Sequence, residues 1–218
     1  MLLTVSAIIN YEIEARDGQS GTLNDILCEN GKWRPRWLVI DSGTILPQKL
    51  TVLPFNLLKS IDREFGKAYV EATSEAIKNA PLYFSKDTAA RPNKSGKEVG
   101  VDDETGADTG SLLSLNTMIG FTIETNDGAI GTIFDFLLND SDWNIRYIIV
   151  DTGTWLPGQK VLIAPNFVSL ISNDKKLMQL TISREKVKHA PAYNPSITLD
   201  GNYDEKFLTY YGIRWLEG

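Results

Sequence analysis

Three pairs of carboxylates in this 218-residue chain recur at one spacing: Glu14 with Glu124, Asp25 with Asp135, and Asp41 with Asp151. Two carboxyl groups facing a substrate can act as general acid and general base, so these are the first candidates for chemistry. Their local sequence points elsewhere. Asp41 and Asp151 follow apolar runs directly and precede Gly43 and Gly153 by two positions. In that setting an Asp side chain accepts hydrogen bonds from turn amides while Gly takes a positive φ. Asp41, Gly43, Pro47, Asp151, Gly153 and Pro157 are therefore read as structural turn residues. Asp25 and Asp135 fall inside strand patterns and are expected to bond buried backbone, or Arg36 and Arg146.

Other constellations resolve in the same direction. Asp140, Asp142 and Asn144 are spaced like the first ligands of a calcium-binding loop, with Asp151 at its twelfth position. The sixth position needs Gly for a sharp turn and holds Ile145, and a strand pattern follows instead of a helix, so a hairpin loop is expected. Trp33, Arg34, Arg36 and Trp37 join aromatic rings and guanidinium groups able to stack bases or clamp phosphate. The chain nevertheless carries a formal charge of −6, which opposes nucleic-acid binding driven by counterion release. His189, the single histidine, is read as a solvated cation at a helix end. No Gly-rich phosphate loop, nucleophile elbow or HExxH is present. No catalytic, cofactor-binding or metal-binding residue is assigned, and no cofactor is expected. A single cysteine, Cys28, excludes an intrachain disulfide and fits a reducing compartment. The first ten residues have no basic stretch, and their apolar run is too short for a secretory signal. A cytoplasmic location without membrane insertion is expected.

The recurrence of the acids reflects a repeat. Ile13 aligns with Ile123, an offset of 110, and 15 of the 36 positions from 13 to 48 are identical to their counterparts. The register continues to Tyr83 against Tyr193, and Leu2 and Leu3 meet Leu112 and Leu113. Two copies at so long a period indicate a duplicated domain rather than a solenoid. Within each copy, Asp17 and Gly18, like Asp127 and Gly128, sit between apolar-rich runs and signal a hairpin. Residues 21–27 alternate as a half-buried strand, and 37–40 and 147–150 are continuous enough to be central strands. Thr73 and Ser183 are plausible N-caps of short helices that stop before Pro81 and Pro191. Short strands, few helices and copies of this size predict a mainly β chain: two tandem small, partly open barrels, each ending in a short helix. The expected division is 1–84, a polar linker at 85–110, 111–193, and a C-terminal aromatic tail with a short helix at 194–218.

Four pieces carry a resemblance: Ile119 and Gly120; Asp127, Gly128 and Gly131 with Asp135; the run from Trp143 to Gly158; and the tail from Tyr203 to Gly212. Together they resemble the PRC-barrel family, seen in the cytoplasmic domain of the photosynthetic reaction-centre H subunit and at the C-terminus of a ribosome-maturation factor. The resemblance implies a partly open β-barrel in a bacterial protein that acts by binding proteins, and implies no catalytic residues. Copy one departs at Asn10, where the pattern has Gly, and at Ile45 and Gln48, where copy two has Trp155 and Gly158.

The tail has no counterpart in copy one. Phe207, Leu208 and Tyr211 form an apolar edge that Trp215 extends. Trp155, Tyr203, Tyr210, Tyr211 and Trp215 are accordingly the candidate protein-contact residues. The expected function is a non-enzymatic protein-interaction or scaffold module that binds a protein partner or self-associates. An accessory role in RNA processing or ribosome assembly, and a hydrolase using Asp41 or Asp151, are the alternatives.

Overall fold

The computed structural model describes residues 1–43, 49–83, 112–190, 192–194 and 209–210. The expected linker, Pro47, Tyr203, Tyr211 and Trp215 lie outside them. In chain order the elements are β1 (Leu2–Thr4), α1 (Val5–Ile8), β2 (Glu12–Ala15), β3 (Gly18–Glu29), β4 (Pro35–Asp41), β5 (Leu50–Pro54), β6 (Leu58–Asp62), β7 (Lys67–Val70) and α2 (Ser74–Lys78). The second copy repeats them as β8 (Leu112–Ser114), α3 (Leu115–Met118), β9 (Thr122–Thr125), β10 (Gly128–Asn139), β11 (Ile145–Asp151), β12 (Lys160–Ile163), β13 (Val168–Ser172), β14 (Leu177–Leu180) and α4 (Arg184–Lys188). A 3-10 turn precedes β6 and another precedes β13. The fold is mainly β, in two mixed seven-stranded sheets that are not closed. Among the described residues, no helix is long and apolar enough to cross a membrane.

The compact units cut across the repeat. One, the N-unit, is Ser6–Asn116; the other, the C-unit, is Met1–Val5 together with Thr117–Gly218. In the N-unit the strands run β5-β4-β3-β2-β7-β6, with β8 added to β3. In the C-unit they run β12-β11-β10-β9-β14-β13, with β1 added to β10. The first strand of each copy thus completes the sheet of the other. Leu3 pairs with Leu138, and Leu113 pairs with Cys28, the same register in both sheets. Leu3 and Val5 are buried in the C-unit, as Leu113 and Leu115 are buried where copy two begins. Burying a side chain of this size is worth roughly 1.5–3 kcal/mol before ordering costs, enough to hold so short a strand.

The long strands β3 and β10 organise each core. Ile13, Leu23, Ile26, Leu38, Ile40 and Ile77 are fully buried in the N-unit, and Ile123, Ile133, Phe136, Tyr147 and Ile148 take that role in the C-unit. The alternation of 21–27 breaks at Asp25, where a run of four consecutive buried residues, Asp25 to Cys28, begins. Here both faces of the sheet are covered. Leu27, Val39 and Val52 form a second cluster with Trp37, Leu50, Tyr83 and Leu112 packed against it.

Bulges set the curvature. The pairing of β9 with β10 slips between Ala129 and Gly131, and that of β2 with β3 slips between Glu12 and Glu14. Gly131 has φ 144°, and a Cβ there would stand 1.9 Å from the carbonyl oxygen of Asp151; at Gly21 it would stand 2.2 Å from that of Asp41. Only glycine admits this approach. Asn10 departs from the glycine pattern in identity but not in shape: its φ is 69°, Gly120 has 89°, and Asn tolerates the left-handed region. The expected N-caps form, with the Thr73 hydroxyl accepting from Ala76 N and that of Ser183 from Lys186 N.

Candidate functional site

The turn after β11 is built from its own polar groups. Asp151 Oδ1 accepts the Gly153 amide at 2.9 Å, as Asp41 Oδ1 accepts that of Gly43 at 3.0 Å. That bond to Gly153 holds the Asp151 carboxyl below the usual range, and Lys160 Nζ stands 3.4 Å away. Thr152 is buried, and its hydroxyl faces the carbonyls of Leu156 at 2.7 Å and Gln159 at 2.8 Å. Trp155 N in turn donates to Thr152 O at 3.0 Å. These bonds fix the backbone that carries the Trp155 indole, which is partly buried.

Trp155 meets α4. The Arg184 guanidinium lies over its ring, 5.0 Å from the centroid, a cation–π contact. Arg184 N donates to Asp127 Oδ1 at 2.8 Å, and Thr125 Oγ1 donates to the same oxygen at 2.7 Å. The Thr125 and Arg184 bonds lower the Asp127 carboxyl. Arg184 Nη1 would be 3.3 Å from a Cβ on Gly128, so the absent side chain makes room for the guanidinium. Among the described residues, the buried Arg184 Nε has no hydrogen-bond partner. Packing against Trp155 and Gly128 therefore does much to place this cation.

Two further contacts converge on α4. Lys186 Nζ lies 5.6 Å from the centre of the Phe167 ring. The Tyr210 hydroxyl donates to Lys186 O at 2.6 Å, and partial burial raises the Tyr210 phenol above its ordinary range. Of the five candidate contact residues, Trp155 and Tyr210 are thus brought to the same short helix within the C-unit. Copy one carries Ile45, Leu57, Ser74 and Ala76 at the positions of Trp155, Phe167, Arg184 and Lys186. Trp155 and Phe167 are far in sequence from Arg184 and Lys186, yet all four gather at one helix.

No protein-family model and no curated protein matches this chain.

The remaining candidates are held by the backbone or by structural partners. Asp25 is buried, and its Oδ1 accepts the amides of Ile26 at 2.7 Å and Asn116 at 3.0 Å, while Oδ2 accepts the Ser114 hydroxyl. Burial pushes its carboxyl up despite these bonds. For Asp25 the expected arginine is engaged elsewhere, Arg36 lying 4.0 Å from Glu29; Arg146 pairs with Asp142 at 2.5 Å. Asp135 Oδ1 accepts the Phe136 amide. Glu14 pairs with Lys67 at 2.9 Å. In the loop after β10, Asp142 Oδ1 accepts the Asn144 amide within the hairpin, and Asp140 pairs with the Met1 ammonium just before β1. Trp33 is buried, which removes its ring from a stacking surface, and Trp37 is half-buried against the second cluster. His189 caps α4, its Nδ1 3.0 Å from Glu185 O. Cys28 is buried, and burial raises its thiol to about 12.

The signal for Arg184, Lys186 and Phe167 lay in the differences between the copies. A repeat comparison that follows identities passes over it.

Proposed function

We propose that this chain is a non-enzymatic protein-binding module built from two PRC-barrels, and that its contact face is the aromatic and cationic cluster around α4. One observation carries the reading: Trp155, Phe167, Arg184 and Lys186 replace Ile45, Leu57, Ser74 and Ala76, and all four meet at α4. A duplicated fold needs no such set at one copy only. Trp and Arg are the residue types that dominate binding energy at protein interfaces, where a rigid aromatic body and a planar cation bury large areas at low entropic cost. The duplicated acids support the same reading. Asp25, Asp41 and Asp151 accept main-chain amides at 3.0 Å or less, and so serve strand and turn geometry.

The test uses the protein's own alternative residues. The variant Trp155→Ile, Phe167→Leu, Arg184→Ser, Lys186→Ala gives copy two the side chains that copy one folds with. Affinity purification from the native cell followed by mass spectrometry should recover a partner with the parent chain and lose it with the variant, while both chains give the same circular dichroism. An unchanged partner set with the folded variant would reject the α4 face.

A further inference from the structure

Each sheet is completed by a strand that belongs, by sequence, to the other repeat. Residues 1–5 are joined covalently to the N-unit at Ser6, yet Leu2, Leu3 and Thr4 pair with Asn139, Leu138 and Leu137 of β10. Leu112, Leu113 and Ser114 pair with Glu29, Cys28 and Leu27 of β3 in the equivalent register. Donor and acceptor therefore come from different repeats in both sheets.

From this exchange we infer that residues 1–5 can also be exchanged between chains, giving a dimer of this protein in which each C-unit takes its Leu2–Thr4 strand from the other copy. The ladder pairs, the buried Leu3 and Val5 and the Asp140 partner of the Met1 ammonium are the same whichever chain supplies the strand. Only the tether distinguishes the two cases. Within one chain it holds the strand at an effective concentration in about the millimolar range, so the monomer dominates in dilute solution and the exchanged dimer forms when folding takes place at comparable protein concentration. The partner is a second copy of this chain because the acceptor is filled, residue for residue, by a sequence the chain itself carries. This inference does not rest on the α4 face.

Leu2 and Asn139 are opposed in the ladder and lie in one chain. Two full-length chains with different tags, one Leu2→Cys and the other Asn139→Cys, can be crosslinked at this pair only if the strand passes between chains. The two are co-refolded from denaturant at about 1 mM and at about 1 µM, then oxidised after folding, when Cys28 is buried. A disulfide-linked dimer carrying both tags is expected at the higher concentration, at least ~10-fold less at the lower. A single chain carrying both substitutions, refolded dilute, should close the disulfide internally. Closure of that internal disulfide with no two-tag dimer at either concentration overturns the inference. Failure of the internal disulfide overturns the register beneath it, and equal two-tag yields at both concentrations overturn the tether argument. The experiment is repeated with the four α4 substitutions present; an unchanged dimer yield separates strand exchange from association through α4.

Discussion

Asp25 Oδ1 accepts the backbone amide of Asn116 at 3.0 Å, which ties the bulged centre of β3 to α3, just beyond the end of β8. With Ser114 on its other oxygen, one buried carboxyl holds the strand that copy two contributes. Burial raises its pKa above the ordinary 3.8, so the native state binds this proton more tightly than the unfolded chain does. The resulting stability is fully present below the unfolded value and is lost as pH rises through the folded value. Asp25→Asn keeps an acceptor for both amides and removes the titration. Urea midpoints should therefore shift in favour of the variant, relative to the parent, between pH 4 and pH 7. A pH-independent gap would show that Asp25 titrates as in the unfolded chain. Asp25→Ala instead strips the acceptor from two amides and should cost about 2–4 kcal/mol.

The glycine of each bulge is a steric requirement. Gly131→Ala places a methyl 1.9 Å from Asp151 O at φ 144°, and should destabilise the chain by about 3 kcal/mol or more, read as a lower urea midpoint. Gly21→Ala should behave alike. Asn10→Gly, at a position already left-handed, should stay within about 1 kcal/mol of the parent.

Strand exchange makes a reversed prediction about local stability. Leu3→Ala should cost about 2–4 kcal/mol and speed amide exchange in β10 and β11, although the residue belongs to copy one. Leu113→Ala should speed exchange in β3 and β4 instead. Hydrogen exchange resolved by peptide distinguishes the two patterns, and the opposite assignment would reject the pairings of β1 and β8.

Thr152 holds the backbone beneath Trp155. Thr152→Val keeps the shape but removes a buried hydroxyl facing two carbonyls, at about 1–3 kcal/mol. The loosened turn should red-shift the Trp155 contribution to fluorescence, taken as the difference from the Trp155→Phe chain. No shift would mean that the turn is held by its other bonds.

The repeat made much of the architecture legible. Alternation in 21–27, the apolar runs at 37–40 and 147–150, and the Asp-Gly hairpins correspond to β3, β4, β11 and the turns that join β2 to β3 and β9 to β10. Thr73 and Ser183 mark the helix starts because a side-chain oxygen before a helix has one common use. The destination of the first strand was illegible for a physical reason: Leu2 and Leu3 recur as Leu112 and Leu113, so either sheet satisfies the same side chains. The partner of Asp25 was hidden by distance along the chain; Arg36 was the near candidate, while Ser114 and Asn116 are polar residues without a distinctive signature. At the candidate site Trp155 stood out because it is large and does not recur. Arg184 did not, since a cation opening a short helix reads as surface.

Synthesis on the ribosome gives the β3 and β8 pairing a temporal meaning. Residues 6–83 emerge with β3 formed in sequence but with the Leu27–Glu29 edge lacking Leu112–Ser114. At roughly 5–20 residues per second, several seconds pass before that strand is made. Throughout that interval the nascent chain carries an uncapped sheet edge and a carboxyl at Asp25 without its Asn116 and Ser114 partners. Completion of the first half of the molecule is thereby timed by translation of the second.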